Sequence, residues 1–429
     1  MKEEKKVIHA ALLGAGTVGG GVYKLAQKMK KEILHRIGCE LNIKKVLVRD
    51  ASKQREGIPK EVLTDNWDEI LNDKDIRIVI ELMGGTGVAR SRILDALTAG
   101  KHVVTANKDL LAEHGAEIFE CAKMNNCDIQ FEAAVAGAIP IIRPIMQNMA
   151  GDNITEIMGI VNGTTNYILT KMTEDKMSYQ DALIDAQKKG YAESDPSSDV
   201  DGWDAARKIA IIAQLIYHTN VTFADVYTEG ITSVMPDDVR YAGELGYVIK
   251  LVGTTKLTDG KVEARVHPIM LTKDHPLASV RNSFNAIFVN GEAMDDAMFM
   301  GRGAGSLPTA SAVLGDVMDV MRNILLGCCG RVQVDNYRDL PVMDIDEIQS
   351  KYFIRMKVED RPGVLAEIAV VLGENEVGIA NVSQKDTADG VADLLFIIEK
   401  VEEAHMVEAC EAMRSLDCVY SIASVIRVY

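Results

Sequence analysis

Residues 6–22 read KVIHAALLGAGTVGGGV. The apolar run over 6–13 is typical of a buried strand, and it leads directly into a glycine-rich turn that opens a helix predicted over 17–37. The turn, Gly14-Ala15-Gly16-Thr17-Val18-Gly19, has the G-x-G-x-x-G spacing of a dinucleotide-binding loop. Its glycines permit a tight turn and a close backbone approach, and the helix N-terminus receives the pyrophosphate. The alternative is a glycine turn without a ligand, which this strand–turn–helix context disfavours.

The same alternation of strand and helix continues to about residue 137. The predicted strands are 43–50, 75–85, 101–108 and 127–137, and the predicted helices between them are 88–99 and 113–126. Strands that alternate with helices in this way predict an α/β fold with a Rossmann-type, doubly wound parallel sheet.

The remainder of the chain predicts two further modules. Beyond residue 150 we expect a mixed α/β domain for substrate binding and oligomerisation, with a strand, turn and helix over 156–172 and an apolar helix from 203. Residues 352–429 follow the order βαββαβ, which is typical of a small ferredoxin-like domain. The predicted limits are 1–148 for the nucleotide-binding domain, completed by about 303–335, 149–302 for the substrate domain, 336–351 for a linker and 352–429 for the last domain.

Composition excludes several classes of partner. A formal net charge of −16 over 429 residues argues against nucleic acid and against anionic membranes. The short basic clusters at 2–6 and 28–32 are interpreted as solvated surfaces. We find no signal peptide or membrane span, and the seven cysteines form no zinc-type pair of C-x-x-C units. The expected location is therefore a reducing cytoplasm.

The end of the second predicted strand bears on the choice of cofactor. An acidic side chain at this place would bind the ribose of NAD. Here the strand ends in Arg49 and then Asp50, with Lys53 and Arg55 following. A guanidinium can bind a 2′-phosphate, so the pattern favours NADP, while Asp50 leaves NAD open.

Asp204 and Lys208 lie one turn apart in DGWDAARKIAII, the start of the apolar helix. They share a helix face, and a lysine near a helix N-terminus opposes the helix dipole. A surface ion pair is one interpretation. The other is a cleft in which carboxylates receive an ammonium group and a lysine with a lowered pKa transfers a proton to or from a substrate oxygen. Glu193 and Asp199, in the preceding loop, add to the acidic group.

Two other stretches carry candidate site residues. VVTANKDLL places Thr105 and Lys108 at the carboxyl end of a parallel strand, where open α/β sheets bind their ligands. FEAAVAGAIP, over 131–140, has Glu132 inside an apolar segment. A buried carboxylate needs a cation, a backbone amide or a hydroxyl group as partner, and all three stay open here.

Taken together, these motifs resemble homoserine dehydrogenases over residues 7 to about 340. The most specific stretches are GIVNGTTNYILTKM and GYAESDPSSDVDGWDAARK, supported by GAGTVG, TANK, FEAAVAGAIP and GRGAG. The resemblance implies interconversion of L-homoserine and L-aspartate 4-semialdehyde with NAD or NADP, on the route to threonine, methionine and isoleucine. It also implies a homo-oligomer.

The resemblance assigns roles by position. Lys208 matches the residue that exchanges a proton with the substrate oxygen, and Lys108 matches a lysine between nicotinamide and substrate. The implied substrate-binding residues are Asp204, Glu193, Asp199, Gly163 and Thr164. The implied cofactor contacts include Gly305, and the implied sodium site consists of Glu132 with the carbonyl groups of Val135, Gly137 and Ile139. His267 and His275, each before a proline, are interpreted as structural.

The tail resembles an ACT domain, a module that commonly binds amino acids, and its recognisable loop is DRPGVLAEIA, over 360–369. The effector is often threonine in related enzymes, but the third strand of the module runs LLFIIEK where many members carry a Thr-His pair. A phosphoglycerate-dehydrogenase-like enzyme and a non-catalytic sensor of dinucleotide and amino acid are the rival interpretations. The catalytic histidine set that a phosphoglycerate-dehydrogenase-like enzyme needs is not evident in this sequence. A sensor would have no need of two lysines at a reacting centre.

Overall fold

The computed structural model describes residues 6–386 and 389–429; except for Lys6, the basic cluster at 2–6 lies outside them. The strands are β1 (Val7–Leu13), β2 (Glu40–Leu47), β3 (Leu63–Thr64), β4 (Ile76–Glu81), β5 (His102–Thr105), β6 (Ile129–Gln130), β7 (Ile154–Ile160), β8 (Tyr227–Thr228), β9 (Tyr247–Thr258), β10 (Lys261–Thr272), β11 (Phe284–Gly291), β12 (Asp295–Arg302), β13 (Gln349–Glu359), β14 (Ile379–Asp386), β15 (Val391–Glu402) and β16 (Val419–Val428). The α-helices are α1 (Thr17–Lys28), α2 (Lys30–Ile37), α3 (Asp68–Leu71), α4 (Val88–Thr98), α5 (Lys108–Met124), α6 (Gly163–Glu174), α7 (Tyr179–Lys188), α8 (Ser197–Val200), α9 (Trp203–Tyr217), α10 (Pro236–Glu244), α11 (Ser306–Leu326), α12 (Val364–Glu374) and α13 (Glu403–Arg414).

The chain forms two compact units. The first consists of Met1–Ile157, Arg207–Val226 and Asn285–Leu340, and the second of Met158–Ala206, Tyr227–Phe284 and Pro341–Tyr429. Helix α9 begins in the second unit and continues in the first. Among the described residues, no helix combines the length and the apolar character needed to cross a membrane.

The first unit contains a parallel sheet with strand order β3-β2-β1-β4-β5-β6. The order reverses direction between β1 and β4, which makes the carboxyl ends of these strands a switch point of the kind where nucleotides bind. Buried side chains of β1, α1 and α11 share one apolar core, among them Leu12, Val22 and Val313. The Rossmann-type fold class is confirmed.

Several predicted elements differ in extent from those observed. The helix expected over 17–37 is broken at Met29, whose ψ of 10° redirects the chain so that α2 buries Ile33. The strand expected over 127–137 ends at Gln130, because the backbone turns into a short 3-10 segment at Glu132–Ala134. Strand β5 ends at Thr105, and Lys108 is the first residue of a helix.

The second unit contains strands in the order β9-β10-β16-β13-β15-β14, with β8 beside β10. Strands β9 and β10 form a hairpin through Asp259 and Gly260, which both have positive φ, as a two-residue Asp-Gly turn requires. Sequence reasoning missed β9, although the Asp-Gly pair is a signal for it. Residues from β13 to β16 have the βαββαβ order that was expected, and β16 continues the sheet by pairing with β10.

Candidate active site

The glycine loop is built for a close approach to a ligand. Gly14 has φ of +95°, and a Cβ atom there would lie 2.7 Å from the carbonyl oxygen of Leu82. A Cβ atom on Gly19 would lie 2.1 Å from the carbonyl oxygen of Gly14, so glycine is what lets α1 start tightly against β1. No side chain caps α1, which leaves the amide groups of its first turn available for an anion.

The N-terminus of α11 lies beside the glycine loop. Gly305 precedes α11, and the hydroxyl group of Ser306 donates a hydrogen bond of 2.8 Å to the carbonyl oxygen of Thr17. Gly21 makes room for this contact, because a Cβ atom there would lie 2.7 Å from the Ser306 hydroxyl. Gly305 and the glycine loop, expected separately as cofactor contacts, therefore lie side by side.

The residues after β2 form a local turn. Asp50 accepts hydrogen bonds from the amide of Ser52 at 2.9 Å and from its hydroxyl at 2.5 Å, and these bonds lower the pKa of the Asp50 carboxyl. Lys53 lies 3.7 Å from the same carboxylate, and Arg49 is exposed. Asp50 is thus engaged by its own turn, while Arg49 presents its side chain to solvent.

A buried carboxylate that sequence reasoning missed connects the loops after β4 and β5. Glu81 is fully buried; its Oε1 accepts the amides of Met83 and Gly84, and its Oε2 accepts the Thr105 hydroxyl at 2.7 Å. The Thr105 oxygen in turn accepts the Asn107 amide at 3.0 Å. A glutamate at the end of an apolar strand was the signal available for it. The network fixes the turn from which α5 starts.

Both candidate catalytic lysines belong to the first unit. Lys108 is half-buried at the first position of α5, and Lys208 is 8% exposed. Next to them in the chain, the Asp109 carboxylate and the Arg207 guanidinium form an ion pair at 3.0 Å. The structure thereby brings the beginning of α5 to the segment of α9 that carries Lys208.

Asn162 joins two of the candidate acidic residues in the second unit. Its side-chain nitrogen donates to Asp199 Oδ1 at 2.7 Å and to Asp204 Oδ2 at 2.8 Å. Its side-chain oxygen accepts the Thr165 amide at 2.9 Å and so caps α6, which fixes the orientation of the amide group. Sequence reasoning named neighbours of Asn162 but not Asn162 itself, although it lies inside the NGTTNY stretch.

The other candidate substrate-binding residues differ in how exposed they are. Gly163 opens α6, and the hydroxyl group of Thr164 donates to the carbonyl oxygen of Tyr191 at 2.7 Å. Glu193 follows two residues later with an exposed side chain, and Gln187 donates to its backbone carbonyl at 3.0 Å. The geometry therefore groups Asp199 with Asp204 and leaves the Glu193 side chain at the surface.

Glu132 obtains its hydrogen bonds from the backbone. Its carboxylate accepts the amides of Ile141, Ile142 and Arg143 at 2.5, 2.8 and 2.9 Å. Of the three kinds of partner that the sequence left open, backbone amides are the one observed. Since a carboxylate offers about four lone-pair sites, these three bonds do not use up its capacity to bind a cation.

The backbone carbonyl groups near Glu132 are the other candidate ligands of a cation. Backbone hydrogen bonds in this segment are accepted by Phe131, Ala136 and Ile141. Within the part of the chain that the structure describes, the bonds of this turn do not involve the carbonyls of Val135, Gly137 and Ile139. Carboxylate and carbonyl oxygens such as these are the ligands that hard cations take.

The two histidines that precede prolines both belong to the second unit. His267 is 1% exposed, and its burial lowers the pKa of the imidazole well below the usual value. His275 accepts the Leu277 amide at 3.2 Å, and its ring packs edge-on against Tyr429.

A glycine loop at the switch point of a Rossmann-type sheet is typical of dinucleotide-dependent oxidoreductases. Three family models match the chain: homoserine dehydrogenase NAD-binding domain over 14–132, homoserine dehydrogenase over 140–318 and ACT domain over 352–418. The chain belongs to the homoserine dehydrogenase family.

Relatives match over nearly the full length. Homoserine dehydrogenase of Bacillus subtilis is 42% identical and covers 99% of this chain and 98% of its own length. That of Corynebacterium glutamicum is 45% identical, over 97% of this chain and 95% of the relative. The crystal structure of a homoserine dehydrogenase from Thiobacillus denitrificans has a TM-score of 0.93 at 37% identity, with 99% of each chain covered.

Proposed function

We propose that the chain acts as a homoserine dehydrogenase that interconverts L-homoserine and L-aspartate 4-semialdehyde with NAD(P). Family membership supports the reaction. Two observations carry the residue assignment: Asn162 binds Asp199 and Asp204, and Lys208 follows Asp204 by one helical turn on α9. Carboxylates there suit the ammonium group of an amino acid, and a lysine suits its hydroxyl oxygen.

We assign roles accordingly. Asp199, Asp204 and Glu193 receive the substrate ammonium, while Gly163 and Thr164 shape the turn beside it. Lys208 takes the proton from the hydroxyl oxygen on C4 in the oxidation and returns it in the reduction. Lys108, at the start of α5, adds a positive charge beside this oxygen. When bound, the nicotinamide accepts the hydride that leaves C4.

For the cofactor, we propose a preference for NADP over NAD. Gly14, Ala15, Gly16, Thr17, Val18, Gly19, Thr105 and Gly305 would contact the dinucleotide. Arg49 is exposed beyond β2 and Asp50 is engaged by Ser52, so the available charge at the ribose position is positive. Arg49 and Lys53 would then bind the 2′-phosphate.

Arg49→Ala tests this preference. We expect the KM for NADP to rise by about tenfold or more, the cost of one charge-assisted contact, with the KM for NAD nearly unchanged. Initial rates measured with both cofactors give the comparison. Equal effects on NADP and NAD would contradict the assignment.

We also propose that sodium binds at Glu132 with the carbonyl groups of Val135, Gly137 and Ile139. Such an ion would hold the turn together and would take no part in hydride transfer. Replacing NaCl by tetramethylammonium chloride at equal ionic strength is expected to lower the melting temperature. An unchanged melting temperature would count against the site.

In its wider setting, we propose a cytoplasmic homo-oligomer that serves threonine, methionine and isoleucine synthesis. All seven cysteines are free thiols, which suits a reducing compartment. The ACT domain suggests regulation by an amino acid, and threonine is the effector we propose.

The deciding assay is reduction of NADP, and separately of NAD, by L-homoserine, followed at the nicotinamide absorbance with and without L-threonine. We expect turnover with both and a higher kcat/KM with NADP. A folded protein that binds the cofactors without turnover would instead support the sensor interpretation.

A further inference from the structure

Three side chains connect α6 and α7 where the chain leaves α7 and turns toward Glu193. They are Tyr167 of α6, Asp185 of α7 and Lys189, the residue at which α7 ends. We propose that this Tyr167–Asp185–Lys189 triad is a set of positioning residues that hold the loop 190–193 for substrate binding. The inference rests on the proposed function, because Glu193 is a substrate-binding residue only under that proposal.

The triad is a closed set of hydrogen bonds. The Tyr167 hydroxyl group donates to Asp185 Oδ2 at 2.5 Å. Lys189 Nζ donates to the same carboxylate oxygen at 2.8 Å and to the Tyr167 hydroxyl oxygen at 2.6 Å. The bonds from Lys189 and Tyr167 lower the pKa of the Asp185 carboxyl, and the bonds to Asp185 and Tyr167 raise the pKa of the Lys189 ammonium group. Both groups are therefore charged near neutral pH, and hydrogen bonds between charged partners are stronger than neutral ones.

Tyr167 distinguishes the triad from a surface ion pair. The Asp185 and Lys189 side chains lie one helical turn apart and are 28% and 49% exposed, so the pair alone would contribute little. Tyr167 is 3% exposed and belongs to a different helix, and its ring centroid lies 5.3 Å from Lys189 Nζ. Its hydroxyl group thus links the end of α7 to the buried face of α6.

The loop after α7 packs on the same tyrosine. The ring centroids of Tyr191 and Tyr167 lie 4.9 Å apart. The Tyr191 carbonyl oxygen accepts the Thr164 hydroxyl at 2.7 Å, and the Tyr191 amide donates to the carbonyl oxygen of Ala186 at 2.9 Å. Gly190, with φ of +74°, allows the chain to reverse at the end of α7. Tyr191 is therefore held by α6 and α7 together.

Glu193 depends on this loop for its position. Its side chain is exposed, and its backbone carbonyl accepts the side-chain amide of Gln187 on α7 at 3.0 Å. The place of the carboxylate is thus set by the backbone of the loop and by the end of α7. The triad ties that end to α6, which starts directly after Asn162 and is capped by it. It therefore aligns Glu193 with the acidic residues that Asn162 binds.

Tyr167→Phe tests this role, because it removes the hydroxyl group and keeps the ring beside Tyr191. We expect the KM for L-homoserine to rise by about fivefold or more, as the loss of a hydrogen bond to a charged group allows. The kcat and the KM for NADP should stay within about twofold. Initial rates with each substrate varied in turn give these values. An unchanged KM for L-homoserine, or an equal rise in the KM for NADP, would overturn the proposal.

Lys189→Met removes the positive charge of the triad and should give the same selective rise in the KM for L-homoserine. Lys188→Met, which alters the neighbouring exposed lysine of the same helix, is the matched control. We expect its KM to stay within about twofold of the unmodified protein, as for an exposed charge. An equal rise in both lysine variants would show an effect of charge at the end of α7 and would contradict a role for the triad.

Coupling to Glu193 separates positioning from a general structural effect. In a Glu193→Gln background, Tyr167→Phe should change kcat/KM for L-homoserine by less than about twofold, because the carboxylate that the triad positions is already gone. The full loss is expected only where Glu193 is present. The same fold loss in both backgrounds would show that the triad does not act through Glu193.

Hydrogen–deuterium exchange of the full-length protein tests the loop without turnover. Tyr167→Phe is expected to speed the exchange of the amides of 190–193, whereas Lys188→Met should leave it as in the unmodified protein. Unchanged exchange in Tyr167→Phe would refute the inference. An absence of homoserine oxidation by the unmodified protein would count against the proposed function alone.

Discussion

At the scale of single residues, Asn162 illustrates how one side chain organises a site. Its oxygen is committed to the amide of Thr165, so its nitrogen must face Asp199 and Asp204. One neutral amide group thus binds both carboxylates and keeps them close together. The residue thus holds the acidic group in place without itself supplying charge.

Replacing Asn162 by alanine is expected to raise the KM for L-homoserine by about tenfold or more. The physical reason is the loss of two hydrogen bonds to charged groups, each worth about 1.5–3 kcal/mol, and the resulting freedom of Asp199 and Asp204. Initial rates against L-homoserine, with NADP saturating, give this KM. An unchanged KM for L-homoserine would refute the role, and the KM for NADP should stay unchanged as a control.

Lys208→Ala is expected to lower kcat by about 10²–10⁴-fold while cofactor binding survives, because it removes the proposed proton carrier. Steady-state rates and NADPH fluorescence titration measure the two properties separately. Lys188→Ala, which removes an exposed lysine of α7, is the control and should keep normal turnover. Near-normal turnover of Lys208→Ala would show that the proton assignment is wrong.

At the scale of elements, the start of α6 depends on a buried lysine of β9. Lys250 donates to Asn166 Oδ1 at 2.9 Å and to the carbonyl oxygen of Val280 at 2.5 Å. Burial lowers the pKa of this ammonium group to about 8. Because α6 follows directly on Asn162, Lys250 supports the helix that orients the acidic group.

This lowered pKa gives a pH dependence with a defined sign. Between pH 8 and about 10.4 the unfolded chain binds more protons at Lys250 than the folded chain, so stability rises with pH in that window. Relative to Lys250→Met, the free energy of unfolding should gain about 2 kcal/mol between pH 7.5 and 9.5.

Urea denaturation of both proteins at the two pH values measures this difference. Subtracting the variant cancels the titration of groups that both proteins share. Lys188→Met, at an exposed position, should show the same pH slope as the unmodified protein. If Lys250→Met also kept that slope, the ammonium group would not have the lowered pKa.

At the scale of the whole molecule, the ACT domain is joined to the rest of the second unit by buried polar contacts. Arg355 of β13 contacts Asp238 of α10 at 2.7 Å, and both side chains are almost fully buried. Ser424 of β16 donates to the same carboxylate at 2.6 Å. Two strands of the domain thus converge on one helix outside it.

Removing one partner of this pair should be costly, because it leaves a buried charge without compensation. We expect Arg355→Met to lower the free energy of unfolding by about 3–5 kcal/mol, measured by chemical denaturation. Arg361→Met, which breaks an exposed pair, should cost less than about 1 kcal/mol.

A second variant makes this result specific. Adding Asp238→Asn to Arg355→Met removes the orphaned charge and should restore part of the stability. The side-chain oxygen that accepts the Met235 amide at 2.8 Å is retained in asparagine. Equal stability of the single and double variants would argue against a buried-charge penalty.

The sequence predicted some residues of the candidate site and missed others. The glycine loop, Gly305, Lys108 and Lys208 were found from local motifs and from family resemblance, and their roles as site residues stay predictions. Asn162 and Glu81 were missed, because the sequence does not show which groups a buried amide or carboxylate will bond in the folded chain. Their importance lies in partners that are distant in sequence.

What the sequence determined by itself was the order and type of the main elements. Strand-turn-helix periodicity and the G-x-G-x-x-G spacing depend on neighbours a few residues apart, so they predict the Rossmann-type sheet and the βαββαβ tail. Only the tertiary structure decided that Glu132 is satisfied by the amides of 141–143 and that Arg427 meets Glu229. Such contacts arise where separate elements pack together, and burial then leaves each polar group dependent on whichever partner the packing supplies.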